Sequence, residues 1–298
     1  MFFFLFLIKA KEQQIVKIFC ILGICWSCIE LIQQFTYPTY WFATRYDTYE
    51  KSIEIRNGIY RYGVIGYNFG LILLFYCFEK FMYEKKGKYL AGILMGLTGV
   101  YLLATRQTIA MSIICLFVGL FIMKRISFRS LVFVMIISIV VYANANALLG
   151  EFIEMTEGID EDYIRFLAYE FYGLTYNKGS LLAFLLGNGT PNPPSSYYQE
   201  IDNYEQSLGL YRADIGLVGM YSLYGIIYVV MILCFFIYVF KQRKYIDPYL
   251  LMYVLFMAGT SIMLHHFAYD LYNVVIGSFI LYLIEINIAK NREYIKTQ

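Results

Sequence analysis

Apolar stretches long enough to cross a bilayer recur along this chain, and clusters of basic residues separate them. That alternation constrains the fold more than any other feature. A helix needs ~20 apolar residues to cross the hydrocarbon core. Eight segments approach or exceed that length: 15–35, 60–82, 89–105, 106–123, 128–149, 213–240, 247–265 and 271–289. Only 15% of the 298 residues are charged and 60% are hydrophobic, whereas soluble domains are about a quarter charged. The expectation is an all-α, polytopic integral membrane protein with about eight transmembrane helices. It would form a single transmembrane helical domain over 1–298 with a large extracytoplasmic loop at about 150–212.

Orientation follows from Lys and Arg in short connections. Lys9, Lys11 and Lys17 precede the first segment. Lys80, Lys85, Lys86 and Lys88 follow the second, Lys124, Arg125 and Arg129 the fourth, Lys241, Arg243 and Lys244 the sixth, and Lys290, Arg292 and Lys296 the eighth. With eight spans, every cluster falls on one side, which must be cytoplasmic, and both termini lie there. The apolar start MFFFLFLI is eight residues long and has neither a basic region nor a small-residue cleavage site. It reads as the tail of a helix rather than as a signal peptide.

The opposite side receives residues 36–59, the tip near Arg106, the segment 150–212 and the turn from His265 to Asp270. Segment 150–212 is too long for a simple connector. Its apolar positions Ile164, Leu167, Ala168 and Phe171 fall at helical spacing, which predicts a helix on the membrane surface. Lys178 to Gly189 (KGSLLAFLLGNG) is too short to span and is either re-entrant or surface-bound. The prolines in PNPP at 191–194 force extended, turn-rich backbone. Cys25 and Cys28 have C-x-x-C spacing, but no second pair or nearby His completes a metal site. They read as small apolar packing residues, and no metal or cofactor is expected.

Sorted by side, the basic residues invert in type. The cytoplasmic side carries twelve Lys and four Arg, and the outer side two Lys (Lys51, Lys178) and six Arg (Arg45, Arg56, Arg61, Arg106, Arg165, Arg212). A point charge suffices to orient a span, whereas a planar guanidinium holds an oxyanion bidentately. Arg61, Arg106 and Arg212 stand at span ends, where lipid phosphates lie. An arginine at a helix end also snorkels to headgroups with no further role. The functional alternative is an outward-facing site for a phosphorylated lipid. Glycine-rich phosphate loops and H-E-x-x-H are absent, which disfavours nucleotide and zinc chemistry. No nucleic-acid partner is expected.

Several passages resemble one known group. Arg56 to Gly70 (RNGIYRYGVIGYNFG) resembles an arginine-then-glycine entry into a span, and Leu102 to Leu120 (LLATRQTIAMSIICLFVGL) an arginine-bearing hairpin. Leu185 to Pro193 (LLGNGTPNP) resembles the Gly-x-Gly of a large outer loop, and Tyr211 to Tyr228 (YRADIGLVGMYSLYGIIY) the helix that follows it. In this order the passages resemble the O-antigen and capsular polysaccharide polymerase and ligase superfamily (Wzy and WaaL-like proteins) over about residues 55–240. The chain departs from that group in having eight spans rather than ten or more. It also lacks an Arg-x10-Gly pattern from any outer arginine, and the late His-Asn of the ligases. These departures weigh against ligase more than against polymerase.

The resemblance implies a multi-pass protein of the bacterial cytoplasmic (inner) membrane. Its activity would be a metal-independent glycosyltransferase that extends surface polysaccharide of the lipopolysaccharide or capsule type. The donor would be an undecaprenyl-pyrophosphate-linked oligosaccharide, with membrane lipids, a chain-length regulator and a flippase as partners. Arg106 and Arg212 would bind the pyrophosphate, with Arg56 and Arg61 in support and Arg45 and Arg165 completing the substrate-binding set. The base that takes the acceptor proton would be Asp214, which could instead pair with Arg212, or His265 or His266, which could instead be surface or packing residues. The outer tyrosines, Tyr197, Tyr198 and Tyr204 among them, stack on sugars or form an interfacial belt. The alternatives are an O-antigen ligase, or a flippase or other transporter of lipid-linked oligosaccharide, for which Glu30 and Glu285 are the candidate intramembrane charges. Arg106→Ala, with expression confirmed, is expected to abolish polymer on a surface-glycan gel, and normal polymer length would remove that role.

Overall fold

A backbone without water must satisfy its own hydrogen bonds, and apolar segments of this length do so as helices. The computed structural model describes residues 1–36, 39, 54–56, 59–61, 64–103, 105–124, 160–177, 179–264, 266–267 and 271–296. The expected span 128–149 lies outside the described residues, as do Arg45 and His265. In chain order the elements are α1 (Phe2–Leu7), α2 (Glu12–Thr36), β1 (Glu54–Arg56), β2 (Ile59–Arg61), α3 (Tyr67–Glu84), α4 (Gly87–Leu102) and α5 (Arg106–Ile122). There follow α6 (Asp160–Glu170), a π-helical turn (Phe171–Thr175), α7 (Leu181–Leu186), α8 (Ser196–Leu208), a 3-10 turn (Arg212–Asp214), α9 (Gly216–Lys241), α10 (Pro248–Thr260) and α11 (Leu271–Lys296). The chain is mostly helical. Among the described residues, three helices are long and apolar enough to cross a membrane, Glu12–Thr36, Gly216–Lys241 and Leu271–Glu293, and Gln107–Ile122 and Pro248–Thr260 are shorter apolar helices.

The chain divides into two compact units. One comprises Met1–Leu148, Gln242–Phe256 and Ser278–Gln298, and the other Leu149–Lys241 and Met257–Gly277. In the first, α2, α3 and α4 pack closely through glycines. Gly70 and Gly99 both face the Trp26 ring, and a Cβ at Gly99 would stand 2.6 Å from Ser27 Oγ. The indole therefore fits between α3 and α4 only because both lack a side chain there. Cys25 and Cys234 are exposed on their helices rather than packed, and all six cysteines are free.

The end of this unit expected to be cytoplasmic is laced by polar groups. Asn287 Nδ2 donates to Glu12 Oε1 at 2.9 Å, and the Asp247 amide donates to Asn287 Oδ1 at 3.0 Å. The Tyr249 amide donates to Glu79 Oε2 at 2.9 Å, and Lys80 pairs with Glu79 at 3.2 Å. Asp247, in the connection before α10, is pushed up from 3.8 to about 6 by burial and then by the Glu79 and Glu12 charges, with Lys290 and Lys80 opposing. Its ionised form therefore disfavours the fold, at no cost below 3.8 and at full cost above about 6. Detergent-solubilised wild type is expected to lose stability as pH rises through that window. Asp247→Asn should melt several degrees higher than wild type at pH 7.5 and at the same temperature near pH 4. Equal melting at pH 7.5 would show that the carboxylate carries no such cost.

Candidate functional site

Between α2 and α3 the sequence reads Ile55-Arg56-Asn57-Gly58-Ile59-Tyr60. Asn-Gly between β-formers is the strongest short signal for a two-residue hairpin. Strands β1 and β2 pair antiparallel, Glu54 with Arg61, Ile55 with Tyr60 and Arg56 with Ile59. This hairpin was not among the all-helical expectations, although its turn residues announced it. The register puts positions 54, 56, 59 and 61 on one face, so the two arginine positions share a side.

Helix α2 grips the hairpin through residues four apart. Gln34 Nε2 donates to the Tyr60 carbonyl at 2.7 Å, and Gln34 Oε1 accepts from the Tyr60 amide at 3.0 Å. Trp26 Nε1 donates to the Val64 carbonyl at 3.1 Å. Between them Glu30 is fully buried. The Val64 amide faces its carboxylate, yet neither oxygen reaches hydrogen-bonding geometry with a described group. Ile59 packs against Leu102 and Tyr101 at the end of α4, and Arg106 opens α5 four residues beyond Leu102. Strand β2 thus packs beside the end of α4 in this unit.

The second unit builds its site on an aromatic core. Ala168, Tyr172, Tyr176, Ile201, Leu210 and Ile215 are buried together. The helix expected around Tyr163 to Leu174 is α6 with its π-helical extension; Ile164, Ala168 and Phe171 pack on this core, and Leu167 is exposed. Tyr204 packs edge-on to Phe171 at 4.8 Å and donates to Glu200, so it is a core residue here. Tyr172 donates to the Leu210 carbonyl at 3.1 Å, and burial raises its phenol well above the ordinary range, with the Arg212 charge opposing.

Arg212 lies over Tyr172, its guanidinium carbon 6.0 Å from the ring centroid. Its side chain is 9% exposed, and Nε pairs with Glu205 Oε1 at 3.0 Å. Nη1 is buried and has no hydrogen-bond partner among the described residues. The partner of Arg212 is therefore Glu205, which the sequence reading passed over, and not Asp214. Glu205 sits on α8, seven residues earlier, and the turn at Gly209 (φ +70°) folds the chain back so that the two meet. Asp214, freed from that role, is exposed in the 3-10 turn.

Arg165 lies on α6, half-buried, and its charge partly offsets the burial that raises the Tyr169 phenol. Tyr169 donates to the Ile262 carbonyl at 2.6 Å. The Leu217 amide at the start of α9 donates to Ser261 O at 2.9 Å. In the same turn His266 is buried with Nε2 2.7 Å from Thr260 Oγ1, so it closes the turn after α10 rather than facing solvent. Among the described residues no three His, Cys, Asp or Glu side chains converge to hold a metal ion.

Helix α9 is broken at Gly225 (φ 73°, ψ −177°). The Ser222 and Leu223 carbonyls there accept from the Asn188 and Gly189 amides at 3.0 and 2.9 Å. The approach is reciprocal. A Cβ on Gly187 would strike the Leu223 carbonyl, and one on Gly225 the Leu185 carbonyl. Asn188 Nδ2 also donates to Ser222 O and to Asn177 Oδ1, and Asn177 Nδ2 donates to the Tyr221 hydroxyl at 2.6 Å. The Gly-x-Gly singled out in the outer loop is therefore the piece that fits the break.

No protein-family model, no curated protein and no solved structure matches this chain. Gly225→Ala must hold alanine at positive φ against backbone, and strain of that kind costs about 1–3 kcal/mol before the clash is counted. Limited proteolysis is expected to cut the segment 160–212 much faster in that variant. An unchanged rate would mean the joint does not anchor it.

Proposed function

We propose that the chain is an O-antigen or capsular polysaccharide polymerase. It would join undecaprenyl-pyrophosphate-linked repeat units on the outer side of the bacterial cytoplasmic membrane, with eight spans and both termini inside. The observation that carries this reading is Arg212. A guanidinium nine-tenths buried, fixed by Glu205 along its Nε edge and left with Nη1 unpartnered, is a donor held ready for an oxyanion. Four residues later begins a helix able to cross the membrane, so the anion best suited to this height is a lipid phosphate.

In the reaction an acceptor hydroxyl attacks the anomeric carbon of the donor sugar. The bond from that carbon to the pyrophosphate oxygen breaks, and its electron pair leaves with the lipid pyrophosphate. Donors fixed in advance where that charge grows lower the barrier. Arg212 serves there, and Arg106, Arg56 and Arg61 are the further pyrophosphate ligands that the resemblance implies. The hydroxyl proton passes to Asp214, whose exposed carboxylate stands two residues from Arg212 and is spared by the Glu205 pair. Arg165, half-buried on α6, would complete the substrate-binding set.

A second reading has one observation in its favour. Glu30 is buried in a helix able to cross the membrane, without a side-chain partner among the described residues, and intramembrane charges of that kind mark transport pathways. A transporter of lipid-linked oligosaccharide would use it. A surface-glycan gel from a deletion strain separates the readings. Polymerase loss leaves single repeat units on the surface, ligase loss leaves long glycan on the carrier, and transporter loss traps units inside. Complementation with Arg212→Lys is expected to lower polymer by on the order of 100-fold, because an ammonium cannot reproduce the buried planar fork. Full polymer from Arg212→Lys and from Arg212→Ala, at equal membrane levels, would exclude Arg212 from the reaction.

A further inference from the structure

Helix α7 has two unlike faces. Ala183 is buried, and Phe184 stacks edge-on to Tyr221 at 6.1 Å, against α9. Leu181, Leu182 and Leu186 point away and are 71, 67 and 57% exposed. From Gly179 to Thr190 the chain carries no charged residue. Water is a poor solvent for such a surface, and nothing among the described residues of this unit covers it.

The joint with α9 sets the height of this surface. Gly187 meets the backbone of α9 at Leu223 and Tyr224, and Gly225 meets Leu185. Gly225 lies nine residues into α9, about 14 Å along its axis. Half of a bilayer's hydrocarbon core is about 15 Å. The tip of the loop is therefore bonded to α9 near the middle of the membrane. Beyond the joint, α9 itself carries exposed apolar residues, Ile227, Val230 and Met231. The break in α9 fits this depth, because irregular backbone inside a bilayer survives only where protein satisfies it. Asn188 and Gly189 supply the donors that the Ser222 and Leu223 carbonyls need.

We propose that residues 179–189 form a re-entrant segment inserted into the outer leaflet, with Leu181, Leu182 and Leu186 in contact with lipid acyl chains. The segment binds the hydrocarbon of a lipid, not a sugar or a second protein. It rests on the reading of the chain as a membrane enzyme with a lipid-linked substrate. It adds a place where the hydrocarbon of a lipid whose phosphate reaches Arg212 runs beside protein.

The test uses protein reconstituted in phosphatidylcholine liposomes. Wild-type chain is irradiated with a phosphatidylcholine bearing a diazirine deep in its acyl chain, and adducts are mapped by mass spectrometry. Adducts are expected within Leu181–Leu186 and not within α8. In parallel, nitroxides are placed at Leu182 and Leu186, with a control at Gln199, after the native cysteines are changed to serine. At Leu182 and Leu186, collisions with oxygen should exceed those with a water-soluble nickel chelate, and Gln199 should show the reverse. Nickel-dominated collisions at both leucines, with no deep-chain adduct, would place the segment at the surface and overturn the proposal. Neither readout involves glycan transfer. Lipid contact without polymerase activity would thus remove the functional reading alone, and water contact in an active enzyme would remove the re-entrant segment alone.

Discussion

The hydrogen bonds that repair the break in α9 hold the outer segment in place. Residues Ser222 and Leu223 have carbonyls that a continuous helix would bond to amides four residues on. At Gly225 the chain leaves helical geometry, and the amides of Asn188 and Gly189 take over. An unsatisfied carbonyl at this depth would cost several kcal/mol, so the loop cannot lift away without that cost. Two glycines make the contact sterically feasible, each lacking a Cβ where the opposing backbone passes. From this fixed point the chain runs through Asn177 to the π-helical turn and its tyrosines, and through Tyr197, which donates to Gly189 O, to α8 and Glu205. The position of Arg212 is inherited from that frame.

The arginines differ in how they are held. Arg212 is locked by an ion pair and an aromatic ring in a segment with its own core. Arg56 and Arg61 ride on a three-residue hairpin that α2 holds by main-chain hydrogen bonds through Gln34 and by the Trp26 indole. Glu205 fixes Arg212 from one edge and leaves Nη1 without a partner among the described residues. Buried donors in folded proteins are ordinarily satisfied, so that edge is the notable feature of Arg212.

Much of this could be read in the residues, and the reasons for the rest are specific. The apolar stretches at 12–36, 216–241 and 271–293 are visible by composition because a bilayer solvent demands them. The amphipathic spacing of Ile164, Leu167, Ala168 and Phe171 gave away α6. The hairpin was signalled by Asn57-Gly58 but outweighed by the surrounding helical pattern. Glu205 could not be singled out, because residues seven apart stand about 10 Å apart along a helix and farther along an extended chain, and only the turn at Gly209 brings the pair together. His266 faces the expected outer side in sequence, yet its burial against Thr260 depends on how α10 ends.

The sequence by itself determined that this chain is a helical membrane protein and that its basic residues differ in type between the connections. Both follow from local chemistry, the length of apolar runs and the identity of side chains beside them. Only the tertiary structure decided that Arg212 pairs with Glu205, that Asp214 is left exposed, and that Leu181–Leu186 docks at the break in α9. The last outcome depends on backbone meeting backbone across more than thirty residues, as Gly187 meets Leu223. No local propensity encodes such a meeting. Close packing and the requirement that every buried carbonyl find a donor select it once the whole segment has folded.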